Sequence, residues 1–238
     1  MKKFFSVRLH ALAVSIILLA GVIFSSCDKS DDDIEAPVAG LMAFNLVPDM
    51  SSVGIELSGN SLGNAPLLYT SFTGGYLNVF PGNREITSYS PASDSTLASS
   101  TYNFEPRKFY SLFVVGANDN YFNVITNDNF DSLSSTSGKA YIRYINAVPD
   151  SSMSMVSVSA NGTDVLNNNS GFAHISDFVA VNPGQVSIAI DNENSIQANR
   201  TISVEERKAY TVLLIGMPNA TDTTRNIQIR FIENGTLD

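Results

Sequence analysis

Few side chains in this sequence could carry out acid–base or covalent chemistry. Among 238 residues there are two histidines, one cysteine and no tryptophan, and beyond the N-terminal run the single imidazole is His174. It sits in Phe172-Ala173-His174-Ile175-Ser176-Asp177, three residues from Asp177 with Ser176 between them. A nucleophilic triad needs a nucleophile, a base and an orienting carboxylate brought together from separate segments, and no Gly-x-Ser-x-Gly elbow is present. His174 is therefore expected at a turn or on the surface, with a binding contact as its sharper role. Asp128, Asn129 and Asp131, with Asp119 nearby, are hard oxygen ligands of the kind calcium prefers, but they lack EF-hand spacing and read as a solvated acidic loop. No metal, cofactor or catalytic residue is expected. A carboxylate-dependent hydrolase is the weakest alternative, because the separation of two carboxylates is set by the fold.

Aromatic side chains offer a second kind of chemistry. Tyr69, Phe72 and Tyr76 cluster around Gly74-Gly75, and tyrosine faces beside such a hinge could stack on sugar rings. The competing reading is that they complete a core. Tyr69, Tyr76 and His174 are the candidate binding residues.

Charge excludes other functions. With 14 Lys+Arg against 23 Asp+Glu, the net charge is −9, which leaves no surplus cation to neutralise phosphates, so no nucleic-acid partner is expected. One cysteine cannot make a disulfide framework. The apolar run from Ala11 to Phe24 follows Lys2, Lys3 and Arg8. At about 1.5 Å per helical residue it is too short for a hydrocarbon core of about 30 Å, so residues 1–26 read as a signal peptide. Ser25-Ser26-Cys27 resembles the lipobox of bacterial lipoproteins, which implies that Cys27 is acylated and anchors the chain to a membrane. Removing residues 1–26 takes away three positive charges and no negative ones, leaving −12 over 212 residues. Attachment must then come from acyl chains, at about 0.8 kcal/mol per buried methylene. Residues 27–37, with the run Ser30-Asp31-Asp32-Asp33, should be an extended, flexible acidic tether. That run resembles the acidic export tag of Bacteroidota lipoproteins, which implies an outer-membrane protein facing the cell exterior; the periplasmic face is the alternative.

The elements that must position any site are revealed by an internal repeat. Phe44-Asn45-Leu46-Val47-Pro48-Asp49 recurs as Ile145-Asn146-Ala147-Val148-Pro149-Asp150, and Val79-Phe80-Pro81-Gly82 as Val181-Asn182-Pro183-Gly184. Glu105-Pro106-Arg107-Lys108-Phe109-Tyr110 recurs as Glu205-Glu206-Arg207-Lys208-Ala209-Tyr210, and the strand behind each ends at Gly116 or Gly216. Offsets of 101, 102 and 100 residues keep one register. The unit is domain-sized, so two copies should occupy residues 38–134 and 138–238, joined by the Ser/Thr/Gly-rich stretch Ser132–Gly138. Period-two alternation in Tyr141–Ile145, Val186–Ile190 and Ile227–Phe231 marks half-buried strands, whereas Tyr210–Ile215 is apolar on both faces and should be central. The expected fold is all-β: two tandem antiparallel β-sandwich domains, Ig-like or related. A single barrel spanning both copies is the structural alternative.

Residues kept in both copies, such as Pro48/Pro149, Asp49/Asp150, Gly82/Gly184, Tyr110/Tyr210 and Gly116/Gly216, should serve the scaffold through turn chemistry and core packing. In this alignment Phe72 falls opposite Phe172, Tyr69 opposite Asn169, and Thr73 or Gly74 near His174. The second copy, through Arg143–Asp150, Ala160-Asn161-Gly162-Thr163, Val181–Gly184 and Lys208-Ala209-Tyr210-Thr211-Val212, resembles the domain-of-unknown-function family 4397. The first copy matches more loosely, with Ser58-Gly59-Asn60 in place of the Asn-Gly turn. The resemblance implies a secreted or surface β-sandwich module without an established activity. Asp94-Ser95-Thr96, Asp131-Ser132-Leu133 and Asp222-Thr223-Thr224 resemble the short O-glycosylation sequence of Bacteroidota, which would place Ser95, Ser132 and Thr223 on exposed loops. Together these readings predict a lipid-anchored, non-catalytic envelope module that binds a glycan or an envelope protein or supports an assembly, with a carbohydrate-binding accessory lipoprotein as the alternative.

Overall fold

The computed structural model describes residues 37–237. Cys27, the signal peptide and the tether, apart from its last residue, lie outside the described residues. The first copy contributes β1 (Ala39–Asn45), β2 (Ser52–Leu57), the two-residue β3 (Asn60–Ser61) and β4 (Leu67–Leu68), β5 (Leu77–Val79), β6 (Gly82–Ser90), β7 (Ser95–Phe104), β8 (Phe109–Ala117) and β9 (Asn120–Asn127). The second contributes β10 (Ala140–Asn146), β11 (Ser154–Ala160), β12 (Thr163–Ser170), β13 (Val179–Val181), β14 (Gly184–Asp191), β15 (Gln197–Val204), β16 (Lys208–Ile215) and β17 (Gln228–Thr236).

The duplication is visible as topology. The first copy has sheets β5-β1-β8-β9 and β3-β2-β6-β7, with β4 also paired to β2; the second repeats them as β13-β10-β16-β17 and β12-β11-β14-β15. Each copy is a two-layer sandwich. Ala39, Leu41, Ala43, Tyr110, Leu112 and Val114 of the first copy face Val53, Ile55, Ile86 and Phe104 across its core. Ile142, Tyr144, Tyr210, Val212 and Leu214 do the same against Val156, Val158, Val186 and Ile188.

The sheets are mixed. β1 pairs with β8 in parallel, Leu41 opposite Tyr110 and Phe44 opposite Phe113, and β10 pairs with β16 likewise, Ile142 opposite Tyr210 and Ile145 opposite Leu213. All other strand pairs are antiparallel. Parallel pairs tend to lie where both sheet faces are covered, and that is the case here. β1 and β10 are buried along their whole length. Their second face packs against the other copy. Met42, Phe44, Leu46, Phe113 and Val115 meet Ile145, Ala147, Leu213 and Ile215 in a third apolar core that crosses the midpoint of the chain. Alternation along β8 therefore sends Tyr110, Leu112 and Val114 into the copy's own core and Phe113 and Val115 into the shared one. The result is four stacked sheets, with β5-β1-β8-β9 and β13-β10-β16-β17 facing each other in the middle.

The joint is also tied down. Phe130 and Leu133 pack on Tyr141, Ala209, Phe178 and Leu237. The Tyr141 hydroxyl accepts from Ser134 N at 2.9 Å and donates to Ser134 O at 3.1 Å.

The repeated scaffold residues have specific duties. A Cβ on Gly116 would lie 2.1 Å from Asn120 O and one on Gly216 2.3 Å from Asn226 O, and both have strongly positive φ, so only glycine lets the following chain cross so closely. Tyr110 and Tyr210 are buried in their cores, and each hydroxyl also accepts a backbone N–H five residues upstream, Glu105 N at 3.0 Å and Glu205 N at 3.1 Å. Asp49 departs from local turn chemistry. Its Oδ2 accepts from Asn118 N at 2.7 Å and from Tyr121 Oη at 3.1 Å, bracing the β8–β9 turn, whereas Asp150 accepts locally from Ser152 N at 2.7 Å.

Candidate functional site

The chemically capable side chains converge on the seam between the two copies. Arg143 stands on β10 in an otherwise apolar alternation, and its side chain points away from its own core toward the first copy. There its Nη2 lies 2.6 Å from Asp128 Oδ1, with both side chains almost fully buried. Asp128 follows the last residue of β9 and is fixed by its own N–H donating to Phe109 O at 2.8 Å. The contact at Oδ1 is ionic without directed hydrogen-bond geometry. The directed bonds are made elsewhere. Arg143 Nη2 donates to Ser111 Oγ at 2.9 Å, and Nε donates to Thr211 Oγ1 at 2.9 Å. Ser111 Oγ donates to Asp128 Oδ2 at 2.9 Å, and Thr211 Oγ1 to Asn234 Oδ1 at 2.6 Å. Phe178 caps the guanidinium, its ring centroid 4.4 Å from Arg143 Cζ.

Tyr76 closes this network. Its hydroxyl donates to Asp128 Oδ2 and accepts from Asn234 Nδ2 at 3.3 Å. Burial pushes the Tyr76 phenol well above its ordinary range, and the adjacent Asp128 carboxylate, by its charge and its hydrogen bond, raises it further; the Asn234 amide and the Arg143 charge pull the other way. The Tyr76 ring stands edge-on to Phe109, with centroids 5.0 Å apart, and to Phe130 at 6.0 Å. Outside it opens a cleft of about 460 Å³, lined by Tyr76, Phe109, Phe130, Leu133, Asn234 and Leu237. A smaller cleft of about 250 Å³ lies on the other side of the joint, where Asp128, Arg143, Asp177 and Phe178 come to its wall.

Of the residues singled out from the sequence, the tyrosines and Asp128 depart from expectation, since Asp128 is buried by its ion pair with Arg143 and not solvated in an acidic loop. Tyr69 and Tyr76 do not form a solvent-facing platform. Both are half-buried at the seam, Tyr76 in the ion-pair network and Tyr69 with a buried hydroxyl that has no hydrogen-bond partner. Burial pushes Tyr69 up to about 12, against the opposing pull of Arg230 and Arg225. His174 is exposed and borders Tyr144, 5.9 Å between ring centroids, with its carbonyl accepting from Asn146 N at 2.9 Å. The oxygen ligands do not converge. Asp128 is held by Arg143, Asp131 pairs with Lys108 Nζ at 2.5 Å, and Asp119 lies in the β8–β9 turn at the opposite end of the sheet. Ser95, Ser132 and Thr223 are all exposed.

Backbone bonds also correct the repeat alignment around these residues. Thr70 N donates to Asn45 O as Ala173 N donates to Asn146 O, and Thr73 Oγ1 accepts from Ala43 N as Ser176 Oγ accepts from Tyr144 N. The matching bridges are Phe44 to Phe72 and Ile145 to Ile175. Hence Phe72 corresponds to Ile175, Tyr69 to Phe172 and His174 to Ser71. The alignment by residue type had slipped because one aromatic pair, Phe72 with Phe172, outweighed the backbone pattern. Arg143 and Asp128 were missed as partners. The available signal was a lone arginine in a buried strand, at the position where the first copy carries Met42.

The fold and seam define a tandem β-sandwich protein whose copies are joined by a shared core and a buried ion pair. The model of the family described as a domain of unknown function (DUF4397) matches residues 39–153 and again residues 140–235, so the chain belongs to that family, in two tandem copies. No curated protein matches the chain. Solved structures similar to it include a candidate cell adhesion protein from Bacteroides eggerthii, at 11% identity and TM-score 0.27, covering 84% of this chain and 97% of that one. Another is a DUF3823 family protein from Bacteroides ovatus, at 10% identity and TM-score 0.17, covering 71% and 99%. Among the described residues no helix is long and apolar enough to cross a membrane.

Proposed function

We propose that this protein is a non-catalytic binding or structural module of a bacterial envelope, held to the outer membrane by acylated Cys27 and facing the cell exterior. The observation that carries the reading is the commitment of the polar side chains gathered around the buried ion pair. Asp128, Arg143, Tyr76, Ser111, Thr211 and Asn234 satisfy one another across the seam. Groups so engaged are joinery, and they turn two copies into one four-layer body suited to standing off a surface. Protease shaving of intact cells, with mass spectrometry of the mature N-terminus, tests the address and the anchor. Release of fragments from residues 37–237 and a diacyl or triacyl mass at Cys27 are expected; full protection of the protein or a free thiol at Cys27 overturns the reading.

A glycan ligand is the second reading, and it is favoured by a different surface from the tyrosines. On the outer face of the second copy Ser157, Ser159, Ser187, Asn199, Arg200 and Thr201 line a shallow cleft of about 260 Å³. Apart from Arg200, whose guanidinium is turned to Ile229 O and the Phe231 ring, these are uncharged hydroxyl and amide groups, which suit polyol recognition. Glycan-array binding that is lost in Ser187→Ala/Thr201→Ala, and kept in Tyr69→Phe, supports it; silence across the array removes it.

A further inference from the structure

Phe80 is the most exposed large apolar side chain among the described residues, at 70%. The scaffold does not need it. Its counterpart in the second copy is Asn182, which accepts from Lys139 Nζ at 2.6 Å. Phe80 is nevertheless held in place, since Arg84 Nε donates to Phe80 O at 3.1 Å and Nη2 donates to Pro81 O at 2.9 Å. Behind it lies an apolar cleft of about 310 Å³ lined by Leu57, Leu62, Val79, Phe80 and Arg84, among others.

The position of this patch says what covers it. Ala39 pairs with Val79 at the start of β1, so Phe80 adjoins the point where the chain enters the first sandwich. Ten residues, Asp28 to Pro37, separate Cys27 from Val38. Even fully extended they span at most about 36 Å, which limits how far this end of the molecule can stand off from whatever holds Cys27.

Charge is distributed to match. Arg84, Arg107, Lys108, Lys139, Arg207 and Lys208 are six of the ten Lys and Arg side chains among the described residues, and all lie at the end where β1, β8, β10 and β16 begin. They stand against the Glu56, Glu85, Glu105, Asp131, Asp164, Glu205, Glu206 and Glu233 carboxylates there, six cations to eight anions. The opposite end carries Asp49, Asp94, Asp119, Asp150, Asp191 and Asp222 in its loops, with Arg225 as the cation beside Asp222. An anionic bilayer therefore repels that end more strongly than the nearly balanced one.

We propose that Phe80, braced by Arg84, inserts into the headgroup region of the bilayer that holds the lipidated chain and so fixes how the protein stands on it. This rests on the Cys27 anchor reading and deepens it. Interfacial amphipathic helices bury their apolar face about 5–10 Å deep, and a single ring needs only the shallow end of that range. An aromatic ring beside an arginine suits that boundary, apolar body in and charge at the phosphates.

The sequence has no tryptophan, so Phe80→Trp introduces a single tryptophan, whose emission lies to the red of that of the nine tyrosines. The full lipidated chain carrying Phe80→Trp is reconstituted into phosphatidylethanolamine/phosphatidylglycerol vesicles, with and without brominated acyl chains. Leu68→Trp is the control; Leu68 is 62% exposed and sits at the acidic end. Expected are a blue-shifted Phe80→Trp emission and loss of roughly half of it to brominated lipid, the depth being within the first carbons of the chain, with neither effect in Leu68→Trp. A chain that floats with the vesicles but shows an unshifted, unquenched Phe80→Trp signal overturns the proposal while leaving the anchor standing. A blue shift without bromine quenching assigns the patch to a protein surface and likewise overturns it. A chain that does not float removes the anchor reading, and this proposal with it.

Discussion

The two copies have the same strand order and the same tyrosine and glycine fixtures, and they differ where they touch. Half of the seam is symmetric: Phe44 and Ile145, Phe113 and Leu213, Val115 and Ile215, and Phe72 and Ile175 are counterparts, packed in one cluster. This is the arrangement of an isologous dimer, with the same patch used by both partners. The other half is asymmetric. Arg143 stands where the first copy has Met42, opposite Thr211 as Met42 is opposite Ser111. Asp128 follows the Tyr110 partner Asn127, and Asn234 follows the Tyr210 partner Glu233. Tyr76 precedes β5 as Phe178 precedes β13. Two first copies paired through this face would bury two aspartates, and two second copies would bury two arginines. The difference makes the halves partners of each other and penalises like-with-like exchange.

Substituting residues of one copy by their counterparts in the other breaks this comparison most directly. Arg143→Met leaves the Asp128 carboxylate buried and unpaired, and it should cost about 3–5 kcal/mol in urea denaturation. Adding Asp128→Asn removes the stranded charge and should recover most of that loss, because a buried ion pair is worth little more than well-packed neutral groups. Equal losses for the single and double variants would show that the arginine acts by packing alone.

Tyr76→Phe installs the Phe178 side chain and removes a hydrogen bond to a charged acceptor, so a loss of about 1.5–3 kcal/mol is expected. It also sharpens the comparison through pH. The Tyr76 phenol is raised in the folded protein. The unfolded chain therefore loses this proton first, near pH ~10, so the stability that Tyr76 supplies is complete below that value and declines as the medium becomes more alkaline. Alkaline denaturation followed by circular dichroism should be shallower above pH ~10 in Tyr76→Phe than in the parent. An unchanged slope would place the titration elsewhere.

A smaller effect tests the part of the comparison that is symmetric. Tyr110→Phe and Tyr210→Phe each leave one backbone N–H unpaired, at Glu105 and Glu205 respectively, and each should cost about 1 kcal/mol. The two losses should agree within about 0.5 kcal/mol and add in the double variant, since the sites sit in separate cores. Divergent values would mean that the two corners are not equivalent.

What the sequence made legible follows from what leaves a periodic trace. Strand type, the repeat and the glycines at 116 and 216 could be read because each depends on local chain geometry repeated in register. The Asn161-Gly162 turn could be read as well, with φ of 51° and 78°; Ser58-Gly59 adopts the same pair of values, 49° and 79°, without the usual asparagine. The double-sided burial of Tyr210–Ile215 was visible, but not its cause. An apolar strand records that both faces are covered without recording by what, so the parallel pairing and the shared core stayed hidden. The Arg143–Asp128 contact is 15 residues apart in sequence and joins different sheets, and no spacing rule connects them. Tyr69 and Tyr76 stood out as unduplicated only under the slipped alignment; the backbone register sets them opposite Phe172 and Phe178, so both copies carry a ring there and only the hydroxyls differ.

Tyr69 gives the finest test of that last point. Backbone bonds place it opposite Phe172 in the repeat, and Phe172 packs edge-on to Phe122 across the seam, with centroids 6.1 Å apart. Tyr69 occupies the reciprocal place beside the second copy, where Arg230 Nη1 donates to Thr70 Oγ1 at 2.7 Å. Its hydroxyl is buried and unpartnered, so the oxygen loses its hydration without recovering a hydrogen bond. Tyr69→Phe should therefore leave stability unchanged or raise it by up to about 1 kcal/mol, the reverse of Tyr76→Phe. Because burial lifts the Tyr69 phenol to about 12, the substitution should also remove a loss of stability that begins as pH rises past ~10. A destabilisation comparable to that of Tyr76→Phe would mean that the Tyr69 hydroxyl is paired after all, and that the two halves of the seam are more alike than their side chains indicate.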